Sequence, residues 1–165
     1  MLELREYTIP EQKHIDWLND KDLMRYSDQR HVHHTRASVQ HYMFQVWFRG
    51  VYLNDVLIGT VAASIDKHND VADLGILMGG RRGYGKAAWK LALDELSTHR
   101  MIVAGCMVGN QAMQTIMRRT MEYSHIIPDR FLYDGKPMAG IYYRRAGEAA
   151  LRLREEMAGI YYRRL

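Results

Sequence analysis

The sequence predicts one α/β domain of the α+β class, with a mixed, mostly antiparallel sheet of six or seven strands flanked by helices. Strand-like runs and amphipathic helices alternate in the order β-α-α-β-β-β-α-β-α-β-β. A glycine-rich turn follows the fourth of these strands and leads directly into a helix. The 165 residues, 47% of them apolar, are enough for one hydrophobic core and too few to divide comfortably into two domains.

The sequence of the first third of the chain predicts a strand followed by two helices, with a polar loop between the helices. Pro10 ends the first strand, and the following helix places Ile15 and Leu18 inward. Thr35 is a residue type that caps helix N-termini, and Gly50 is one that breaks helices. The predicted elements are strand 2–8, helix 11–18, a helical turn at 22–26, a histidine-rich loop at 27–35 and helix 36–48.

The rest of the chain predicts a meander, two further helices and a final hairpin. Asn54-Asp55 and Asp134-Gly135 are turn-forming dipeptides between strand-like runs. The helix after the glycine-rich turn is amphipathic, with Trp89 on its apolar stripe and Lys90 opposite. The predicted elements are strands 51–53, 56–65 and 71–78, helix 84–98, strand 101–107, helix 111–121, and strands 125–132 and 136–144.

The glycine-rich turn spans residues 79–85. Its glycines let the backbone tighten and expose N–H groups, and the helix that follows adds a partial positive charge at its start. Arg81, Arg82 and Lys86 strengthen that positive potential. The turn therefore predicts a binding site for a phosphate or pyrophosphate.

Two nucleotide-binding motifs match this turn incompletely. Residues 80–86 read G-x-x-x-x-G-K, but Ala87 follows where a nucleoside-triphosphate loop needs Ser or Thr for its magnesium. Residues 83–88 read G-x-G-x-x-A, which in dinucleotide folds belongs to an early βαβ unit and precedes an acidic residue by about 20 positions. The strand at 101–107 ends without such an acid, and an antiparallel meander precedes the turn. The element order therefore favours neither nucleotide fold.

The turn also resembles the pyrophosphate loop of the GNAT acyltransferases, Q/R-x-x-G-x-G/A, with residues 80–85 in its six places and Gly80 replacing Gln or Arg. The element order over residues 1–145 resembles the same family, in particular the branch of ribosomal-protein N-terminal and amino-sugar acetyltransferases. Asn110 stands where the family has an asparagine that contacts the pantetheine arm. The resemblance implies an acetyl-CoA site made by Leu77, Met78, Arg81, Arg82, Gly83, Tyr84, Gly85, Lys86 and Asn110.

The resemblance further implies that a neutral amine attacks the acetyl thioester directly, without a metal. Asp73 is the candidate base, because a carboxylate within an apolar strand is expensive unless it is used or paired. Tyr123 is the candidate acid for the leaving thiolate, and Tyr142 is an alternative. The candidates for binding the acceptor are the loop residues Arg30, His31 and His33, and their neighbour His34 is a further candidate for the same pocket.

We therefore expect an acetyl-CoA-dependent N-acetyltransferase acting on a primary amine of a small molecule, such as an amino sugar or a sugar nucleotide. Acetylation of a protein N-terminus or a lysine is the alternative with the same chemistry. The non-enzymatic alternative is a module that binds coenzyme A without catalysis. It is kept because Met117 and Met121-Glu122 stand where the family often has a tyrosine and a Gly-Phe pair.

Composition narrows the class of protein. The net charge of +4 is spread along the chain, which suits an anionic cosubstrate but does not by itself indicate a nucleic-acid partner. Cys106 is the single cysteine, so neither an intramolecular disulfide nor a cysteine-rich zinc site is expected. The chain has no run of about 18 apolar residues and no signal-peptide pattern, which predicts a cytoplasmic protein without a membrane partner.

An eight-residue repeat marks the end of the chain. Met-Ala-Gly-Ile-Tyr-Tyr-Arg-Arg occupies residues 138–145 and recurs identically at 157–164, after a helix-forming segment. We divide the chain into an acetyltransferase domain at 1–145 and a C-terminal helix and tail at 146–165. A recent duplication is the simplest origin of the repeat. An ordered second copy is expected to pair at a sheet edge or to exchange between the subunits of a homodimer.

Overall fold

The computed structural model describes the backbone of residues 1–79 and 82–163. Seven strands form one sheet in the order β1-β2-β3-β4-β5-β7-β6, and every neighbouring pair is antiparallel except β4 with β5. The predicted fold class and element order are confirmed. The elements are β1 (Leu2–Arg5), α1 (Gln12–Asn19), α2 (Arg36–Gln45), β2 (Trp47–Leu53), β3 (Val56–Asp66), β4 (Val71–Met78), α3 (Gly85–Glu95), β5 (Met101–Met107), α4 (Gln111–Thr120), β6 (Glu122–Tyr133), β7 (Lys136–Ala146) and α5 (Glu148–Arg163).

Two apolar clusters cover the two faces of the sheet. The larger one packs α3 and α4 against one face and includes the fully buried Trp89 and Met117. Burying a side chain as large as Trp89 contributes on the order of 2 kcal/mol or more. The smaller cluster packs α1 and α2 against the opposite face, where Ile15, Val39 and Phe48 meet. The sheet is therefore the middle layer of the domain.

The segment around residue 46 differs from its prediction. Helix α2 begins as predicted, because the side chain of Thr35 accepts a hydrogen bond from the Ser38 N–H in a capping box. It ends at Gln45, however, and Trp47 opens β2, which runs through Gly50. Pairing with β3 and burial of Phe48 against Tyr7 outweigh the helical pattern read from the sequence.

Smaller differences occur nearer the N-terminus. Strand β1 ends at Arg5 instead of residue 8, because its partner β2 pairs with it only over Leu2–Arg5. The predicted helical turn at 22–26 is a series of hydrogen-bonded turns instead of a helix. In the part of the chain that the structure describes, no helix is long and apolar enough to cross a membrane.

Strands β4 and β5 part from one another halfway along. They pair only from Val71 with Met101 to Asp73 with Val103. Beyond that point β4 stays on β3 and β5 stays on β7, so a wedge-shaped gap opens in the middle of the sheet. The gap leaves backbone groups of the two strands without a sheet partner, which makes it a place for an extended ligand.

The two copies of the repeat have different structures. The first copy lies in β7, between β5 and β6. Residues 157–163 of the second copy continue helix α5, so the strand pairing expected for this copy is not present. The helix starts in a run of helix-forming residues after Gly147, whose N–H donates to the Arg100 carbonyl. Residue 164 lies outside the described part of the chain.

Candidate active site

A cleft of about 1070 Å³ opens at the gap between β4 and β5. Its floor is the sheet face beneath α1 and α2, and its walls are α1, α2, the segment between them and the start of α4. Three positions of β4, Asp73, Gly75 and Leu77, alternate onto this floor. On β3 they face Ser64, Ala62 and Thr60 in the register of the antiparallel pair.

The N-terminus of α3 lies just after the end of β4 and is uncapped. The N-cap residue Tyr84 makes no side-chain capping bond, and the first turn contains no acidic residue. The first-turn N–H groups therefore remain available to an anion. Arg82 and Lys86 are exposed on either side, whereas Gly80 and Arg81, both within the predicted loop, lie outside the described residues.

Gly83 has a conformation that favours glycine. Its φ angle is +92°, and a β-carbon at this position would meet no other atom within 4 Å. Backbone geometry, and not crowding, therefore accounts for a glycine here. At Gly85 a β-carbon would lie 3.4 Å from the Ile116 side chain, which is ordinary contact.

The backbone of β4 presents amides to the gap. The Gly79 N–H donates to the Ile58 carbonyl at 3.0 Å, so the backbone of Gly79 points toward β3. Because successive residues of a strand point their amides to opposite sides, those of Met78 and Ile76 point toward the gap. Ile76 and Leu77 line the cleft, and the Met78 peptide group faces the gap next to them.

Asn110 lies at the other edge of the gap, after β5. Its side-chain oxygen caps α4 by accepting from the Met113 N–H at 3.1 Å. The residue also lines the cleft, and its amide nitrogen has no partner among the described residues. Asn110 can therefore cap the helix and donate to a ligand at the same time.

Asp73 carries a carboxylate at the floor of the cleft. The side chain is solvent-accessible, yet the surrounding protein removes part of its hydration, and this burial raises its pKa above the ordinary value. Its charge in turn contributes, after burial, to the raised pKa of Tyr42 on α2. Asp73 forms no ion pair with any described residue. An unpaired carboxylate with a raised pKa is suited to bind or deprotonate an amine.

Tyr142 of β7 extends across the β5 side of the cleft. It pairs with Gly105, where an added β-carbon would lie 2.5 Å from the tyrosine ring. The opposite face of the ring stacks on His125, with centroids 4.8 Å apart and planes within 11°. The absence of a side chain at Gly105 thus lets the phenol lie flat beside the gap, where it lines the cleft.

Comparison with known proteins identifies this architecture. No protein-family model and no curated protein matches the sequence. Among solved structures, the RimL ribosomal L7/L12 α-N-protein acetyltransferase in complex with coenzyme A is 16% identical, with a TM-score of 0.72 over 90% of this chain and 95% of that one. Spermidine N-acetyltransferase from Vibrio cholerae, in complex with CoA and spermine, is 15% identical, with a TM-score of 0.74 over 91% and 98%.

A GNAT-family acetyltransferase from Bacillus anthracis is 17% identical, with a TM-score of 0.66 over 88% of this chain and 94% of that chain. The chain has the GNAT fold. The order of elements, with the glycine-rich segment between β4 and α3, agrees with the order that the sequence resemblance implies.

The predicted acid, Tyr123, lies away from the cleft. It pairs with Tyr143 and packs edge-to-face on that ring, on the sheet face covered by α3 and α4. Its side chain is 56% exposed. Because of a register shift between Tyr123 and His125, Tyr123 shares the sheet face of Tyr143, and His125 shares the opposite face with Tyr142. The tyrosine that lines the cleft is therefore Tyr142.

The three predicted acceptor-binding residues lie around the cleft without lining it. The Arg30 guanidinium donates to the carbonyls of Ser27 and Leu132 and lies over the Tyr133 ring, so it attaches the loop to the β6–β7 hairpin. His31 and His33 are exposed. Their neighbour His34 does line the cleft.

The sequence reading missed His14, which also lines the cleft. His14 precedes Leu18 by one helical turn, so it lies on the inward face of α1, and this polar residue on an inward face was the available signal. The described residues contain no group of three His, Cys, Asp or Glu side chains arranged to hold a metal ion.

Proposed function

We propose that this protein is an acetyl-CoA-dependent N-acetyltransferase that acetylates a primary amine of a small molecule. One observation carries the proposal: the cleft at the gap between β4 and β5 holds an unpaired carboxylate, and β4 leads from this gap into an uncapped helix start. That arrangement provides a place for phosphates, for an extended amide-containing arm and for an amine.

The coenzyme end of the cleft would hold the cosubstrate mainly through backbone groups. The α3 N-terminus and the exposed Arg82 and Lys86 suit the pyrophosphate. The amides of Ile76 and Met78 suit the peptide-like groups of the pantetheine arm, and the free amide nitrogen of Asn110 can donate to the same arm. A Met78 N–H directed at the thioester carbonyl would stabilise the negative charge that develops there during attack.

The acceptor end would supply the proton chemistry. Asp73 accepts a proton from the bound ammonium, directly or through a water, and leaves the neutral amine to attack the carbonyl carbon. Collapse of the tetrahedral intermediate breaks the carbon–sulfur bond, and loss of the second nitrogen proton to water completes the amide. The Tyr142 phenol then gives its proton to the departing thiolate, a role that replaces the one predicted for Tyr123.

The similar structures support acetyl transfer and leave the acceptor open. RimL is named for a protein α-amine, and the Vibrio cholerae enzyme was solved with a polyamine. The acceptor end here is partly closed by α1, α2 and the segment between them, which favours a small amine, such as an amino sugar or sugar nucleotide, over a protein N-terminus or lysine.

The test is product formation. Purified protein is incubated with acetyl-CoA and a panel of small primary amines, together with peptides carrying a free N-terminus or a lysine. Released thiol and product mass are measured. We expect acetylated small amines. Acetylation of the peptides alone would mean that the acceptor is a protein amine instead of a small molecule. Binding of coenzyme A without any acetyl transfer would indicate a non-catalytic module.

A further inference from the structure

Two histidines at the acceptor end of the cleft carry buried ring nitrogens without partners. His14 is only 2% exposed, and its Nδ1 makes no hydrogen bond with the described residues. His34 is half-buried, and its Nε2 is likewise buried and unpartnered. Buried polar atoms in native proteins are nearly always satisfied by protein, water or ligand. Both residues line the same cleft, so one ligand group bound there would satisfy both ring nitrogens.

The positions of the two rings are fixed by their surroundings. His14 is enclosed by three aromatic rings, with centroids 5.5 Å away for Tyr7, 6.4 Å for Trp17 and 5.8 Å for Phe48. His34 is held through its backbone, because the Asn19 side chain accepts from its N–H and donates to its carbonyl, both at 2.8 Å. Asn19 is the last residue of α1, so one helix positions both histidines.

The chemistry of the pair selects a type of ligand group. Burial lowers the pKa of His14 to about 4, with a smaller contribution from the charge of His34, so the His14 ring is neutral near pH 7. A neutral imidazole has one donor and one acceptor nitrogen. A hydroxyl can accept from one ring nitrogen and donate to the other, whereas an ammonium fits only two acceptor nitrogens and a carboxylate only two donor nitrogens.

We infer that His14 and His34 form a subsite for a hydroxyl group of the acceptor, so that the substrate is a hydroxylated primary amine, of the amino alcohol or amino sugar class. This inference rests on the proposed acetyl transfer. The amine nitrogen lies toward Asp73, and the hydroxyl lies toward α1.

The test compares matched pairs of amines that differ by one hydroxyl. The series of ω-amino alcohols with two to six carbons is paired with the alkylamines of the same length, and kcat/KM is measured for each. We expect the alcohol to be preferred by roughly tenfold at one or more lengths, the value of one good hydrogen bond. The ratio within a pair is independent of any overall change in activity.

Variants assign that preference to the histidines. His34→Leu and His14→Phe should each bring the ratio close to one, and His34→Leu by itself carries the test if the buried His14→Phe variant does not fold. His41→Leu is the matched control and should leave the ratio unchanged, because His41 is exposed on α2 and bonds Gln45 outside the cleft. A preference for hydroxyl that survives His34→Leu overturns the assignment.

A binding measurement separates this inference from the proposed function. In protein labelled with nitrogen-15 histidine and saturated with coenzyme A, the ring signals of His14 and His34 should move on titration with the amino alcohols and not with the alkylamines. If neither signal responds to any amino alcohol, water alone satisfies the rings and the subsite is wrong, even where acetyl transfer occurs. If the signals respond but no amine is acetylated, the proposed function fails and the subsite stands.

Discussion

The ends proposed for the coenzyme and for the acceptor are built from different parts of the chain. The coenzyme end consists largely of backbone: the uncapped start of α3 and the amides of β4 left free by the departure of β5. The acceptor end consists of side chains: Asp73 from β4, His14 from α1 and His34 from the segment between α1 and α2. Backbone recognition constrains few residue types, whereas side-chain recognition constrains each one. Structures only 13–17% identical can therefore share a fold without sharing an acceptor site.

The largest effect should come from the acceptor end. Asp73→Asn keeps the size of the side chain and removes its basicity, so turnover should fall by roughly 10² to 10⁴ while the Michaelis constant for acetyl-CoA changes little. The parent pH–rate profile should also have an acidic limb above the usual carboxyl range, because burial raises the pKa of Asp73, and the variant should lack it.

Both profiles must be recorded with the same acceptor, because deprotonation of the amine itself also raises the rate with pH. Near-parental turnover with an unchanged acidic limb in the variant would remove Asp73 from the mechanism. A large rise in the Michaelis constant for acetyl-CoA would instead show that the two ends of the cleft are not separable.

The second prediction concerns stability at low pH. His14 has a folded-state pKa of about 4, below its unfolded value of 6.5, so its contribution is complete above pH 6.5 and is lost as pH falls toward 4. A shift of that size corresponds to about 3 kcal/mol of unfolding free energy. Urea unfolding at pH 7 and pH 4 should show this loss in the parent and a smaller one in His14→Phe. Equal losses in the two proteins would mean that His14 is not buried in its neutral form.

The third prediction probes the coenzyme end through ligand binding. Coenzyme A at a hundredfold excess over its dissociation constant should stabilise the folded protein by about 2.7 kcal/mol. Magnesium-ATP should stabilise it less, because the turn has Ala87 where a triphosphate loop has a hydroxyl. Thermal unfolding with each ligand measures both effects. A larger shift with magnesium-ATP would contradict the coenzyme assignment.

The smallest effect is a matched pair of glycine substitutions. Gly83 and Gly135 both have positive φ angles, of +92° and +74°, and a β-carbon would meet no atom within 4 Å at either site. Alanine at either position should therefore destabilise the fold by a similar amount, about 1–2 kcal/mol. Only Gly83→Ala should also raise the Michaelis constant for acetyl-CoA, because Gly135 lies in the β6–β7 turn. A similar rise in both variants would place the phosphate site elsewhere.

The sequence by itself determined the elements whose signals are local. Amphipathic periods predicted α1, α3 and α4, the dipeptide Asp134-Gly135 predicted the last hairpin, and the glycines after residue 78 predicted the break between β4 and α3. Each of these depends on neighbours within a few residues, so the chain carries the information directly.

The tertiary structure decided which side chains meet. Tyr123 and Tyr142 are equivalent as residue types, yet the register between β6 and β7 sends only Tyr142 to the cleft. A strand reveals its period of two in the sequence but not which face will be buried, because that depends on its partner. The convergence of His14 and His34 likewise depends on how α1 packs and on the clamp made by Asn19.

The eight-residue repeat shows most directly that local sequence does not decide the structure of every segment. Met-Ala-Gly-Ile-Tyr-Tyr-Arg is a strand at 138–144 and a helix at 157–163, although the seven residues are identical. At the first site β5 and β6 offer hydrogen-bonding edges on both sides. At the second site the segment continues a helix already begun at Glu148, and each further residue can extend the ladder of i to i−4 bonds. Where local preference is this evenly balanced, the available hydrogen-bond partners decide the structure.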